Sequence, residues 1–175
     1  MIVFHTDVDS TLIYTERHDI VKDKMCVEYL RGNPFCYMTP TSVKLLNELK
    51  SKPNVEIVPL TARTEMEFKR VNLGDFKYAL VTNGGILLRD GVVDQDWYQE
   101  SLDIVSKSKE SLDLCRHLLE NDPNRIFDVK FVDNLYLYTK SDNPQETVNL
   151  IKNVWIILIY ILISLEVKFM CFLKD

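Results

Sequence analysis

The chain has 175 residues, 46% of them hydrophobic, which is enough apolar material for a packed core and excludes disorder for most of its length. The 21 basic and 26 acidic residues leave a formal charge of −5, so the basic footprint of a nucleic-acid binder is missing, while small phosphorylated substrates stay open. The four cysteines, Cys26, Cys36, Cys115 and Cys171, form neither a CxxC nor a pairing with neighbouring histidines, so reduced thiols are expected rather than a zinc site or a disulfide framework.

The N-terminal text MIVFHTDVDS lacks a basic n-region and a long apolar h-region, so no secretory signal is expected and the location implied is cytoplasmic. MIVF reads as a short buried strand that ends at a loop carrying Asp7. Thr39-Pro40 then opens a helix, with Thr as N-cap, Pro at the first position, and Val43, Leu46 and Leu49 at helical spacing. VEIVPL, Val55 to Leu60, reads as a second strand, followed by a helix capped by Thr64 with Glu65 and Glu67 in its first turn. YALVT, Tyr78 to Thr82, is a third strand that runs into the turn Asn83-Gly84-Gly85.

Strand, helix, strand, helix, strand is the pattern of βαβ units and a parallel sheet, so the expected fold class is α/β. Beyond Arg89 the text changes character. Asp90-Gly91 between apolar triplets signals a hairpin, and one long helical pattern follows, with Leu102, Val105, Leu112, Cys115 and Leu119 on one face. IFDVKFV and LYLYT read as two strands around Asp133-Asn134, and a helix with Pro144 near its start closes an α+β module. Tyr136, Tyr138 and Lys140 could face a pocket, but Tyr is a common strand former and the pattern favours a role in building the strand pair.

The polar clusters at Asp7, Thr61 and Asn83 each follow a strand. In parallel sheets, ligands bind beyond the carboxyl ends of the strands. A carboxylate at Asp7 can attack phosphorus to give an acyl phosphate. Asp9, one residue further on, can protonate the leaving oxygen and then activate water. Two carboxylates and a dianionic phosphate repel one another, so such a site needs a hard cation with oxygen ligands, and magnesium suits it. Taken singly, the DxD pair also fits an Asx turn, Thr61 a strand-end or capping residue, and Asn83-Gly84-Gly85 a plain tight turn. Three clusters at the ends of three consecutive strands are far more specific than any one of them.

IVFHTDVDSTL resembles the first motif of the haloacid dehalogenase-like phosphatases, an apolar strand followed by DxDx(T/S), with Asp7, Asp9 and Thr11 at the matching positions. IVPLTAR is similar to the second motif, with Thr61 matching and Arg63 in the place of the arginine of a T-G-R variant, Ala62 replacing its glycine. LVTNGG resembles the segment that precedes a large α+β cap in the Cof-like and sucrose-phosphatase-like branch.

The resemblance extends from Met1 to about Asn153 and implies a Rossmann-like parallel-sheet core at residues 1–88 and an α+β cap at 89–153. It also implies a magnesium-dependent phosphatase for a small phosphorylated metabolite, a sugar phosphate or similar. Asp7 is then the nucleophile and Asp9 the acid/base. Thr11, Thr61, Ala62, Arg63, Asn83 and Gly84 contact phosphate or substrate, and Mg2+ is held by the Asp7 carboxylate and the Asp9 backbone carbonyl. A phosphotransferase such as a phosphomutase, or a noncatalytic phosphate-binding module, fits the same front portion.

After Asn153 nothing matches the family's later lysine and acidic motifs, so an incomplete core sheet, impaired activity and self-association are expected. Val154 to Leu165 is apolar for twelve residues, short of the roughly 18 to 20 that a membrane span needs. Residues 154–175 read as a buried element or as a frame-altered tail before they read as a membrane anchor.

Overall fold

The computed structural model describes residues 1–18 and 23–152, so the tail from residue 154 lies outside the described residues. The chain divides into two compact units, Met1–Asp94 and Gln95–Asp175.

The first unit begins with strand β1, Ile2–Asp7. A hairpin-based sheet follows, made of β2 (Tyr14–Thr15), β3 (Met25–Leu30) and β4 (Asn33–Met38) in the order β2-β4-β3, all antiparallel. The reading of the sequence above contains none of these three strands. The β3–β4 turn is Arg31-Gly32 with φ of 53° and 81°, the double positive-φ geometry of a two-residue hairpin. Arginine at the first of these positions is not the usual Asn or Asp, so the turn carries little sequence signal.

Helix α1, Pro40–Lys50, is capped by Thr39, whose hydroxyl accepts from the Ser42 N–H at 3.0 Å. It buries Leu46 in a cluster with Val8, Ile13, Val27, Cys36, Met38, Ile57, Val71 and Leu73. Strand β5, Val55–Leu60, pairs in parallel with β1 from Ile2↔Val55 to Asp7↔Leu60. The short α2, Glu65–Lys69, starts at a capping box in which Thr64 and Glu67 satisfy each other's backbone N–H groups. Strand β6, Tyr78–Val81, joins β5 in parallel at Leu60↔Leu80.

A single 3-10 turn, Thr82–Gly84, reverses the chain into β7 (Ile86–Arg89), and Asp90-Gly91, with φ of 48° and 76°, leads to β8 (Val92–Val93). The resulting sheet, β1-β5-β6-β7-β8, is parallel across its first three strands and antiparallel across its last three. Residues 89–94 therefore continue the sheet of the first unit.

The MIVF strand forms, but it is not buried: Ile2 is 58% and Phe4 49% exposed. The cause is its place in the sheet. Among the described residues β1 is an outer strand with only β5 beside it, so its pattern is that of an edge.

In the second unit the single long helix expected from the spacing is two helices, α3 (Gln95–Ser106) and α4 (Lys109–Glu120). The N–H groups of Lys107 and Ser108 bond the carbonyls of Ile104 and Val105 at 3.2 and 2.9 Å, an i−3 turn that ends the first helix. Val105 and Leu112 stand seven positions apart on either side of this turn, so the apolar phase passes through it without a sequence mark. Strands β9 (Lys130–Val132) and β10 (Tyr136–Tyr138) pair antiparallel around Asp133-Asn134. Among the described residues a further helix, α5, covers 144–152, and Ile151 packs with Cys115 and Leu119. Among the described residues no helix is long and apolar enough to cross a membrane.

Candidate functional site

The site lies at the carboxyl ends of β1, β5 and β6. Asp7 is the last residue of β1 and is exposed, while Val8 behind it is fully buried and anchors the turn. The Val8 carbonyl accepts from both the Leu12 and Ile13 N–H groups at 2.9 and 3.0 Å, and the Ser10 N–H bonds the Ile13 carbonyl at 2.8 Å. This closes residues 8–13 into one tight loop with Ser10 at φ 60°. Within it the Thr11 hydroxyl donates to Asp7 Oδ2 at 2.9 Å. Thr11 thus orients the Asp7 carboxylate directly.

Thr61 leaves β5 and is buried, with 3% exposure. Its hydroxyl accepts from the Arg63 N–H at 3.2 Å and stands 3.5 Å from Asp9 Oδ2, the outer limit of a hydrogen bond. The exits of β5 and β6 are tied by backbone. Thr61 N–H bonds the Leu80 carbonyl, Thr82 N–H the Arg63 carbonyl at 2.7 Å, and Asn83 N–H the Thr61 carbonyl at 2.9 Å. Thr82, Asn83 and Gly84 all have positive φ, at 53°, 56° and 84°. Asn tolerates this backbone and Gly84 adopts it without strain, whereas for the β-branched Thr82 a positive φ is strained. Ala62 is exposed on the same loop, Asn83 is half-buried and Gly84 is buried.

Arg63 joins the site to the β3–β4 hairpin. Its Nε donates to Asp9 Oδ1 and Oδ2 at 3.2 and 2.9 Å, and Nη2 to Asp9 Oδ1 at 2.9 Å. On the opposite edge, Nη1 and Nη2 donate to Glu28 Oε1 and Oε2, both at 3.0 Å, and Nη1 also reaches the Glu67 carbonyl at 3.2 Å. All five N–H donors of the guanidinium are thereby committed to protein acceptors. The sequence points to Arg63 as a phosphate contact; the structure places it as a bridge between two carboxylates.

Glu28 has no exposed surface and also accepts from Arg70 Nε at 2.7 Å. Burial pushes its carboxyl up, but hydrogen bonds from Arg63, the Cys36 thiol and Arg70 outweigh that and hold it below the usual carboxylate range. Burial also opposes the charge of Arg63, and the bonds to Asp9 and Glu28 more than reverse it, raising its pKa. The Cys36 thiol is pushed up to about 12, first by burial and then by Glu28, so it is no nucleophile at neutral pH. Sequence reasoning missed Glu28 entirely.

Among the described residues there is no group of three or more His, Cys, Asp or Glu side chains set to hold a metal ion. Asp7 and Asp9 are the acidic pair at the site. Magnesium commonly takes one or two carboxylates and completes its shell with water and substrate phosphate, so this all-oxygen donor set fits it. A groove of about 770 Å³ in the first unit lies elsewhere. It is lined by residues 68–77 with Ala79, Leu88, Asp90 and Gly91, at the amino end of β6, and of the residues just described it contains only Arg70.

No protein-family model matches the chain, and no curated protein matches it either.

Proposed function

We propose that the chain is a phosphatase of the haloacid dehalogenase-like kind, acting on a small phosphate ester through an aspartyl-phosphate at Asp7. The observation that carries this reading is the placement of Asp7, Asp9, Thr61 and Asn83 at or just beyond the ends of three adjacent parallel strands, with Thr61 bonded to Asn83 through the backbone and 3.5 Å from Asp9. Such an end of a parallel sheet is where α/β proteins place ligands.

Thr11 occupies Asp7 Oδ2, so Oδ1 is the oxygen that attacks phosphorus. The P–O bond of the ester breaks, and the departing oxygen takes its proton from Asp9, which for this step must carry a proton in place of one of its Arg63 contacts. Asp9, now a carboxylate, removes a proton from water. That water attacks phosphorus, the acyl–phosphate bond breaks, and Asp7 and inorganic phosphate are released. Thr61, Ala62, Asn83 and Gly84 would lie about the phosphate, although the Asn83 N–H is already donated to the Thr61 carbonyl. Arg63 serves by holding Asp9 rather than by touching phosphate, because its donors are taken. Magnesium held by Asp7 and the Asp9 carbonyl would offset the negative charge of the phosphate and the two carboxylates.

The second unit, with its paired β9 and β10 between helices, suits a cap that selects the leaving group. Among the described residues Cys26, Cys36 and Cys115 are free thiols. The test is hydrolysis of an aryl phosphate by the purified chain with and without Mg2+. Turnover that appears only with the metal and vanishes in Asp7→Asn supports the reading, and turnover that survives Asp7→Asn removes it.

A further inference from the structure

Glu28 is expensive to bury. A carboxylate with no exposed surface loses its hydration, and the attraction of paired arginines commonly no more than offsets that cost. Apart from Arg63 and Arg70 its surroundings in the first unit are mostly apolar: Val27 precedes it, Cys36 stands opposite in register, and Val71 faces it in an isolated antiparallel bridge. Removing the glutamate alone would leave the buried Arg63 without these acceptors, whereas replacing such an ion cluster as a whole by apolar residues is commonly neutral or stabilising. Stability alone therefore does not account for a glutamate here.

The local backbone is irregular at this one position. The β3–β4 register runs Cys26↔Tyr37, Glu28↔Cys36, Tyr29↔Pro34, with a shift on each side of Glu28. The first shift makes Val27 an extra residue in β3, and the second makes Phe35 extra in β4. Paired irregularities of this kind re-aim a side chain, and here they bury Val27 and Glu28 in succession where a regular strand would alternate. The carboxylate that results meets the Nη1/Nη2 edge of Arg63 in a two-bond fork, while the Nε/Nη2 edge of the same planar group holds Asp9. Arg70 supplies a second cation to Glu28 at 2.7 Å, so two arginines balance two carboxylates and the charge of Arg63 is shared with Asp9.

We propose that Glu28 is a positioning residue for Asp9: it fixes one edge of the Arg63 guanidinium so that the other edge sets the place of the Asp9 carboxylate. Its role in turnover rests on the phosphatase reading above, whereas the link from Glu28 through Arg63 to Asp9 is physical and is measured without turnover. A rigid guanidinium transmits orientation because both forks lie in one plane. Without Glu28 the side chain of Arg63 keeps its charge but loses the acceptor pair that stops it from rotating about its own stem.

The experiment compares the full chain with Glu28→Gln, and with Glu28→Asp, which retains the charge and so guards against a variant that fails to fold. Two NMR signals report the link directly: hydrogen exchange of the Arg63 Nε–H and the chemical shift of the Asp9 carboxyl carbon at neutral pH. Both are expected to change in Glu28→Gln, and to a smaller degree in Glu28→Asp. In turnover, kcat on an alkyl phosphate is expected to fall roughly tenfold or more, part of the factor that a general acid supplies. An aryl phosphate, whose leaving group needs less protonation, is expected to lose less, with KM nearly unchanged for both. Unchanged Arg63 and Asp9 signals overturn the proposal, and so does a loss of kcat equal for the two esters. Absence of magnesium-dependent turnover in the parent chain would instead remove the phosphatase reading, and the two NMR signals would then decide the link by themselves.

Discussion

At the scale of single residues the account turns on two carboxylates with different surroundings. Asp7 is bonded by the Thr11 hydroxyl, whereas Asp9 is gripped by a guanidinium. Under the proposed function the first arrangement would leave an oxygen for attack, and the second would hold the group that transfers the proton. Asp7→Asn is expected to abolish turnover while phosphate-ester binding persists, as measured by steady-state rates alongside calorimetric titration of a slow substrate. Asp9→Ala is expected to lower kcat by roughly a hundredfold or more on alkyl esters and by less on aryl esters. Equal losses on the two would mark Asp9 as a structural residue. The places of Asp7, Asp9, Thr61 and Asn83 were legible in the sequence because each stands at or within two residues of the end of an apolar strand. Glu28 was not, because its role depends on a shifted register and a partner 35 positions away.

At the scale of elements, local signals carried where one turn of chain decides the outcome. The Thr64 capping box is an example, since Thr64 and Glu67 lie within one helical turn and the residue types alone define the motif. Thr64→Ala is expected to cost about 0.5–2 kcal/mol, readable by urea unfolding. The β2-β4-β3 sheet went unread because Arg31-Gly32 is a weak turn signal and the two shifts at Glu28 spoil strict alternation. The α3–α4 break went unread because the apolar phase survives it.

Lys50, at the end of α1, ties that helix to the following loop: its Nζ donates to the Leu73 carbonyl at 2.6 Å and sits 3.5 Å from the Phe76 ring centroid. Burial lowers its pKa to about 8, against a small opposing effect of Asp75. An unfolded lysine titrates near 10.4, so between the two values the unfolded chain binds more protons and this group makes stability rise with pH. The difference in Tm between the parent and Lys50→Met should therefore shift in favour of the parent as pH goes from about 8 to about 10. A constant difference across that window would show that Lys50 is not desolvated.

At the scale of the whole molecule, two compact units share the chain, and the candidate chemistry belongs to the first. The parallel order of β1, β5 and β6 was legible from the alternation of strand and helix, since a parallel pair requires a crossover. That β1 stands at an edge, with Ile2 and Phe4 exposed, was not legible, because MIVF has the composition of a buried strand. The buried Glu28 links the site to global stability. Its folded pKa lies below that of an unfolded carboxylate, near 4.3, so its stabilisation is complete above that value and is lost as pH falls through the folded one. Acid unfolding followed by circular dichroism should show the parent losing stability more steeply than Glu28→Gln below about pH 4.

The central claim is that Asp7 becomes phosphorylated, and the most direct measurement is acid quenching of the chain during reaction with a radiolabelled phosphate ester and Mg2+, followed by peptide mapping. The account predicts label on Asp7, absent in Asp7→Asn and accumulating when Asp9→Ala slows hydrolysis of the acyl phosphate. Turnover with no label on Asp7, or label on another residue, would contradict it.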